Sequence, residues 1–133
     1  MRGRATIAAV AIAVVAALWL ATGREAPGPV LPDPIAEARA TGKPVLVEFG
    51  AGTCAACREM KTVLASLEAS HGDRMVILDV EFGTAEGRRI LRDYGMQAIP
   101  TQLFFASDGS ELGRHLGAMP AADILQRLGL ADG

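Results

Sequence analysis

Cysteine is nearly absent from the 133-residue chain, with two in all, and neither sign of charge dominates: 13 lysines and arginines stand against 15 aspartates and glutamates. Two cysteines are too few for a small fold stapled by several disulfides, and a zinc site with two ligands is incomplete. The basic residues are scattered along the chain. They form no cationic face of the kind nucleic-acid binding needs, so nucleic acid is excluded as a partner. Half of the residues are hydrophobic, which excludes a disordered chain. There are no internal repeats, and the length is that of one small domain. The two cysteines stand at positions 54 and 57, so their role lies in what they do together.

Arg2 and Arg4 precede an uncharged run from Ala5 to Ala21 whose one polar side chain is Thr6. As a helix it spans about 26 Å at roughly 1.5 Å per residue, slightly short of a ~30 Å hydrocarbon core but within the usual range. Trp19 sits near the far end, where an interfacial aromatic belongs. Residues 1–23 therefore read as an export or anchoring segment. An uncleaved anchor is favoured, because the run exceeds the roughly 7–15 residues of a signal h-region; the alternative is a signal peptide processed at Ala21-Thr22-Gly23. In both forms the remainder faces outside the cytosol, with the arginine end inside. Residues 24–32, with Pro27, Gly28, Pro29 and Pro32, read as a semi-rigid spacer, and the folded domain covers 33–133. Beyond residue 29 the chain is mildly acidic, which bears on solubility.

Within the domain, Asp33-Pro34 predicts an N-cap and first helical position, with Gly42 ending a short helix. Val45 to Phe49 is a continuous apolar run of strand length, read as a buried central strand. Cys57, Met60, Val63, Leu64 and Leu67 then recur at helical spacing up to Gly72. Met75 to Val80 reads as a second buried strand, and Thr84 caps a helix that runs to about Tyr94 and is stopped by Gly95. Thr101 to Ala106 and Glu111 to Leu116 flank the turn Ser107-Asp108-Gly109-Ser110, and a last helix follows Pro120. The order α-β-α-β-α-β-β-α calls for parallel pairing of the helix-separated strands and an antiparallel final pair. The expected α/β fold is one mixed sheet of about four strands with helices on both faces.

Cys54-Ala55-Ala56-Cys57 lies where the buried strand hands over to a helix. Unpaired N–H groups and the helix dipole favour an anion there, so the Cys54 thiolate is stabilised, while Cys57, one turn further in, stays protonated until needed. That division fits dithiol exchange: Cys54 attacks a target disulfide and Cys57 resolves the mixed disulfide. A structural bridge is one alternative, although closing so short a loop removes little chain entropy. A metal site is the other; it needs two further ligands, and His71, His115 and the methionines show no ligand spacing.

Three stretches carry a family resemblance over nearly all of residues 33–130. Lys43-Pro44-Val45-Leu46-Val47-Glu48-Phe49 leading into Cys54-Ala55-Ala56-Cys57-Arg58-Glu59-Met60, then Tyr94 to Thr101, then Asp108 to Gly117, resemble the first core strand and active site, the cis-proline stretch and the last hairpin of thioredoxin-fold proteins. The Cys-x-Ala-Cys-Arg-Glu pattern and Ile99-Pro100-Thr101-Gln102-Leu103-Phe104-Phe105 more closely resemble exported thioredoxin-like domains that draw electrons from transmembrane thiol-reductase or cytochrome c biogenesis proteins. Thr53 stands where the family usually has tryptophan before the first cysteine, and Ala55-Ala56 replaces Gly-Pro; both departures bear on the redox poise.

The resemblance implies a cis Ile99–Pro100 peptide beside Cys54, with Ile99, Pro100 and Thr101 shaping the docking of an extended substrate segment. It implies that Glu48 is a buried acid behind Cys57, able to take its proton during resolution; a strand-end glutamate reaching solvent is the plain alternative. Arg58 either adds positive potential near the thiolate or belongs to a solvated helix face. His71 and His115 read as helix-end and strand residues, and Phe104 and Phe105 as core. The function implied is an extracytoplasmic thiol–disulfide oxidoreductase acting on protein disulfides, charged by a transmembrane thiol reductase, with no cofactor beyond the cysteine pair. The localisation implied is an inner-membrane anchor through residues 5–21 with the domain in the periplasm, or a soluble exported domain after cleavage. Two alternatives stand beside this: a disulfide-donating oxidant of the same fold, against which the chain lacks room for the helical insertion of dedicated oxidants, and a non-enzymatic metallochaperone using both thiols.

Overall fold

The computed structural model describes residues 12–15, 17 and 31–131. Residues 12–15 and 17 are helical; the rest of segment 5–21, the processing site at 21–23 and the spacer up to residue 30 lie outside the described residues. Among the described residues no helix is long and apolar enough to cross a membrane. The chain divides into two units, Met1–Pro32 and Asp33–Gly133. The second holds α1 (Pro34–Arg39), β1 (Val45–Gly50), α2 (Ala55–His71), β2 (Val76–Glu81), α3 (Ala85–Asp93), β3 (Thr101–Phe105), β4 (Glu111–Leu116) and α4 (Ala121–Arg127).

Local chemistry sets the helix starts. Asp33 Oδ1 accepts from the backbone of Ile35 at 3.0 Å and Ala36 at 3.2 Å, with Pro34 at the first helical position of α1. Thr84 Oγ1 accepts from Gly87 N at 2.9 Å to cap α3. Gly87 also lets α3 lie close to β2, because a Cβ there would run into the Glu81 carbonyl. The other carboxylate oxygen of Asp33, Oδ2, accepts from the Tyr94 hydroxyl at 2.8 Å, tying the start of α1 to the end of α3.

The sheet has the order β2-β1-β3-β4. β1 pairs with β2 in parallel, whereas β1–β3 and β3–β4 are antiparallel. This corrects the expectation that the helix-separated strands are all parallel. β3 starts beside the end of β1, with Thr101 opposite Phe49, and runs back along it. The connection after β2 therefore returns to the same end of the sheet without crossing its length. A second correction concerns β2, which is an edge strand with Val76, Ile77 and Leu78 only half-buried and Asp79 exposed.

Because alternate residues of a strand face opposite sides, β1 and β3 feed two cores. Val45, Val47, Phe49, Leu103 and Phe105 pack with Ile35 of α1 and Ile90 and Leu91 of α3. Leu46 and Phe104 pack with Met60, Leu64 and Leu67 of α2 and Ile124 of α4. Helices thus cover both faces. The second face also carries Glu48 and Gly50, next to α2, and there the chemistry gathers.

Candidate active site

β1 ends at Gly50 and α2 begins at Ala55, so the loop between them delivers Cys54 to the helix start. Cys54 is the N-cap of α2: its Sγ accepts from the backbone N–H of Cys57 at 3.3 Å. Both cysteines are free thiols; Cys54 is half-buried, and Cys57 is only 1% exposed, beside Gly50. Hydrogen bonds from the Cys57 thiol and backbone, with the Arg58 guanidinium behind them, hold the Cys54 thiol below its ordinary range. Burial, and then the hydrogen bond to Cys54, push the Cys57 thiol up. The more accessible sulfur is the better thiolate and the buried one keeps its proton, as a helix N-terminus and a dry interior require.

Glu48 is buried, at 1% exposure, and does not reach solvent. Desolvation raises its carboxyl to about 7; a hydrogen bond from Gln102 opposes the rise, the Asp79 carboxylate adds to it, and Lys61 offsets part of that. The bond is short, with Gln102 Nε2 donating to Glu48 Oε2 at 2.7 Å. Glu48 Oε1 has no hydrogen-bond partner. A Cβ placed on Gly50 would lie 3.6 Å from that Oε1 and 3.7 Å from Cys57 Sγ, so carboxyl and thiol flank the same glycine. Gln102, fully buried, is the site residue that sequence reading does not single out. Its one signal is an amide beside the apolar stretch Leu103-Phe104-Phe105 that follows the proline turn.

The loop is held from both sides. Gly52 N donates to Glu81 Oε1 at 3.1 Å, and the Gly52 carbonyl accepts from Arg58 Nη1 at 3.3 Å. Lys61 Nζ joins Glu81 Oε2 at 3.4 Å and Asp79 Oδ2 at 3.0 Å. Arg58 is exposed but folds back over the loop. The Ile99–Pro100 peptide is cis, and Gly117 N donates to the Pro100 carbonyl at 2.9 Å. Pro100 is buried and Ile99 half-buried, while the Thr101 hydroxyl is turned inward to the Ala98 carbonyl at 2.7 Å. A shallow cleft of about 180 Å³ beside this peptide is lined by Phe82, Leu91, Met96, Gln97, Ala98 and Ile99. His71 ends α2 against Ser70, and His115 lies on β4 opposite Gln102. Among the described residues no group of three or more His, Cys, Asp or Glu is placed to hold a metal ion.

The sequence profile of the thioredoxin-like domain matches residues 31–131. The chain belongs to the thioredoxin-like domain family. Thioredoxin from Mycolicibacterium smegmatis is 32% identical over 88 residues, covering 66% of this chain and 78% of that protein. The thioredoxin-like protein HCF164, chloroplastic, from Oryza sativa subsp. japonica is 31% identical over 101 residues, 75% of this chain. The thiol:disulfide interchange protein DsbD from Pseudomonas fluorescens is 38% identical over 96 residues, 68% of this chain. The chain spans 38% of HCF164 and 16% of DsbD, both much longer proteins. In fold it is similar to thioredoxin O2 from Arabidopsis thaliana in the oxidized state, with a TM-score of 0.60 at 21% identity over 71% of this chain and 82% of that one. This thioredoxin-like domain thus has thiol–disulfide oxidoreductases among its relatives.

Proposed function

We propose that the protein is an extracytoplasmic thiol–disulfide oxidoreductase that reduces protein disulfides, or relays electrons to them, through the Cys54–Cys57 dithiol. The observation that carries this reading is the opposed state of the two sulfurs: Cys54 accessible and acidified at the start of α2, Cys57 buried and protonated behind it. The Cys54 thiolate attacks one sulfur of a substrate disulfide, releasing the other as a thiol and leaving a mixed disulfide. Cys57 gives its proton to Glu48 and attacks Cys54, which expels the reduced substrate. An extended substrate segment docks along the cis Ile99–Pro100 turn, where Ile99 lines the neighbouring cleft and Thr101 braces the turn through its hydrogen bond to Ala98. A transmembrane thiol reductase returns electrons to the disulfide, and residues 5–21 tether the domain to the inner membrane on its outer side. The name of the DsbD relative, a thiol:disulfide interchange protein, supports the exchange chemistry.

The test is a redox titration of the cysteine couple in glutathione and dithiothreitol buffers, paired with an insulin-reduction assay. A potential near or below about −230 mV, toward the about −270 mV of thioredoxin, is expected together with insulin reduction. A potential near the roughly −120 mV of strong oxidants reverses the electron flow. Cysteine-dependent binding of copper(I) without disulfide reduction favours a metal-carrying module instead.

A further inference from the structure

Glu48 lies in a polar row across the whole sheet. The β1–β2 register pairs it with Asp79, the β1–β3 register with Gln102, and the β3–β4 register pairs Gln102 with His115. Paired residues point to the same face, so all four side chains project toward the side covered by α2 and α4. Cys57 and Lys61 of α2 also face the acid: Cys57 Sγ flanks Gly50, and Lys61 Nζ holds Asp79. At the edges of the row Asp79 is exposed and His115 half-buried. Only Glu48 and Gln102 are fully inside, and each leaves one oxygen without a hydrogen-bond partner.

We propose that Gln102 is a positioning residue for the resolving step: its amide pins Glu48 Oε2 and thereby presents Oε1 to Cys57. The proposal rests on the dithiol reading above. A buried carboxyl without a donor is held almost wholly in its neutral form and is useless as a base. A fixed cation would hold it ionised and make it too weak a base. A carboxamide does neither, because its NH2 group donates to the carboxylate and its oxygen, after a flip, accepts from the carboxylic acid. It therefore serves both protonation states and leaves the carboxyl titrating near neutrality, where a general base works best. In the step itself the Cys57 S–H proton passes to Oε1, the Cys57–Cys54 bond forms, and the bond from Cys54 to the substrate sulfur breaks. The electron pair leaves with the substrate thiolate, which takes a proton from water.

The experiment compares the full chain with its Gln102→Met and Gln102→Leu variants, two apolar replacements in case one fails to fold. Carboxyl carbon NMR reads the Glu48 midpoint, and release of 5-thio-2-nitrobenzoate from its mixed disulfide with Cys54 reads resolution against pH. In either variant the Glu48 midpoint should move up by about one pH unit, since a hydrogen bond to a charged group is lost. The release profile should follow, slowing release at pH 7 by about fivefold. In a Glu48→Gln background the Gln102 change should leave the profile where it was. An unmoved midpoint, a moved midpoint with an unmoved profile, or the same slowing without Glu48 overturns the proposal. Neither readout uses a protein substrate or the potential, so the oxidoreductase reading fails separately, through the insulin assay and the redox titration.

Discussion

At the scale of the residue, Glu48 sets stability against chemistry. Its carboxyl titrates at about 7 in the fold against an ordinary 4.5, so the folded chain keeps a proton that the unfolded chain gives up. The Glu48 contribution to stability is therefore greatest below the unfolded midpoint, falls as pH rises from about 4.5 to about 7, and is flat above, a loss of about 3 kcal/mol. Glu48→Gln removes that loss, so urea titrations should find the variant about 3 kcal/mol more stable than the parent at alkaline pH and level with it at acid pH, while resolution slows. A variant with the parent's pH dependence would show that Glu48 is not the titrating group. Hydrogen bonds from Cys57 lower the Cys54 thiol most and the Arg58 guanidinium adds a smaller push, so Arg58→Met should slightly raise the thiolate titration followed by ultraviolet absorbance; an unmoved curve returns Arg58 to the solvated helix face. The two cysteines were legible as paired thiols at a strand-to-helix junction, and Glu48 only through the family resemblance, which implies a buried acid at its position. Gln102 was not, because its meaning comes from the β1–β3 register, which no local pattern encodes.

At the scale of the element, the helices were legible almost to the residue because their ends are written in side chains. Asp33, Thr84 and Gly72 cap where their chemistry predicts. The strands were less so: an apolar hexamer reads alike in a central strand and at an edge, and β2 turned out to be the edge. The direction of β3 was also hidden, since it depends on where α3 delivers the chain. The Asp33–Tyr94 bond joins two of these elements and can be tested directly, because Tyr94 is the one tyrosine in the chain. Burial, then the hydrogen bond to Asp33 and its charge, push the Tyr94 hydroxyl up to about 12. The folded chain thus resists ionisation, and the stability this bond contributes is lost as pH rises from about 10 to about 12. Asp33→Asn keeps the cap but removes the charge, so a spectrophotometric titration should show the tyrosine ionising at lower pH. Asp33→Ala loses the cap as well and should cost about 1–2 kcal/mol in denaturant unfolding. If Asp33→Ala unfolds with the parent, the cap and the tie contribute nothing.

At the scale of the whole molecule, the groups seen to act on the dithiol among the described residues lie between Glu48 and Gln102: the acid and amide on β1 and β3, and the thiols, Arg58 and Lys61 on α2 and its loop. The chemistry is therefore expected to be independent of residues 1–29, and the location to depend on them. A chain starting at residue 30 should show the same Cys54–Cys57 potential as the full protein. The full protein should sediment with membranes, resist alkaline extraction, and lose its domain to protease added from the outer side, because an anchor through residues 5–21 leaves everything after it on that side. Recovery of a soluble exported form beginning near Gly23 would select the cleaved signal peptide over the anchor. A full-length, soluble protein in the cytosol would sink both, and with them the transmembrane electron donor, since a cytosolic dithiol could be recharged without crossing a membrane.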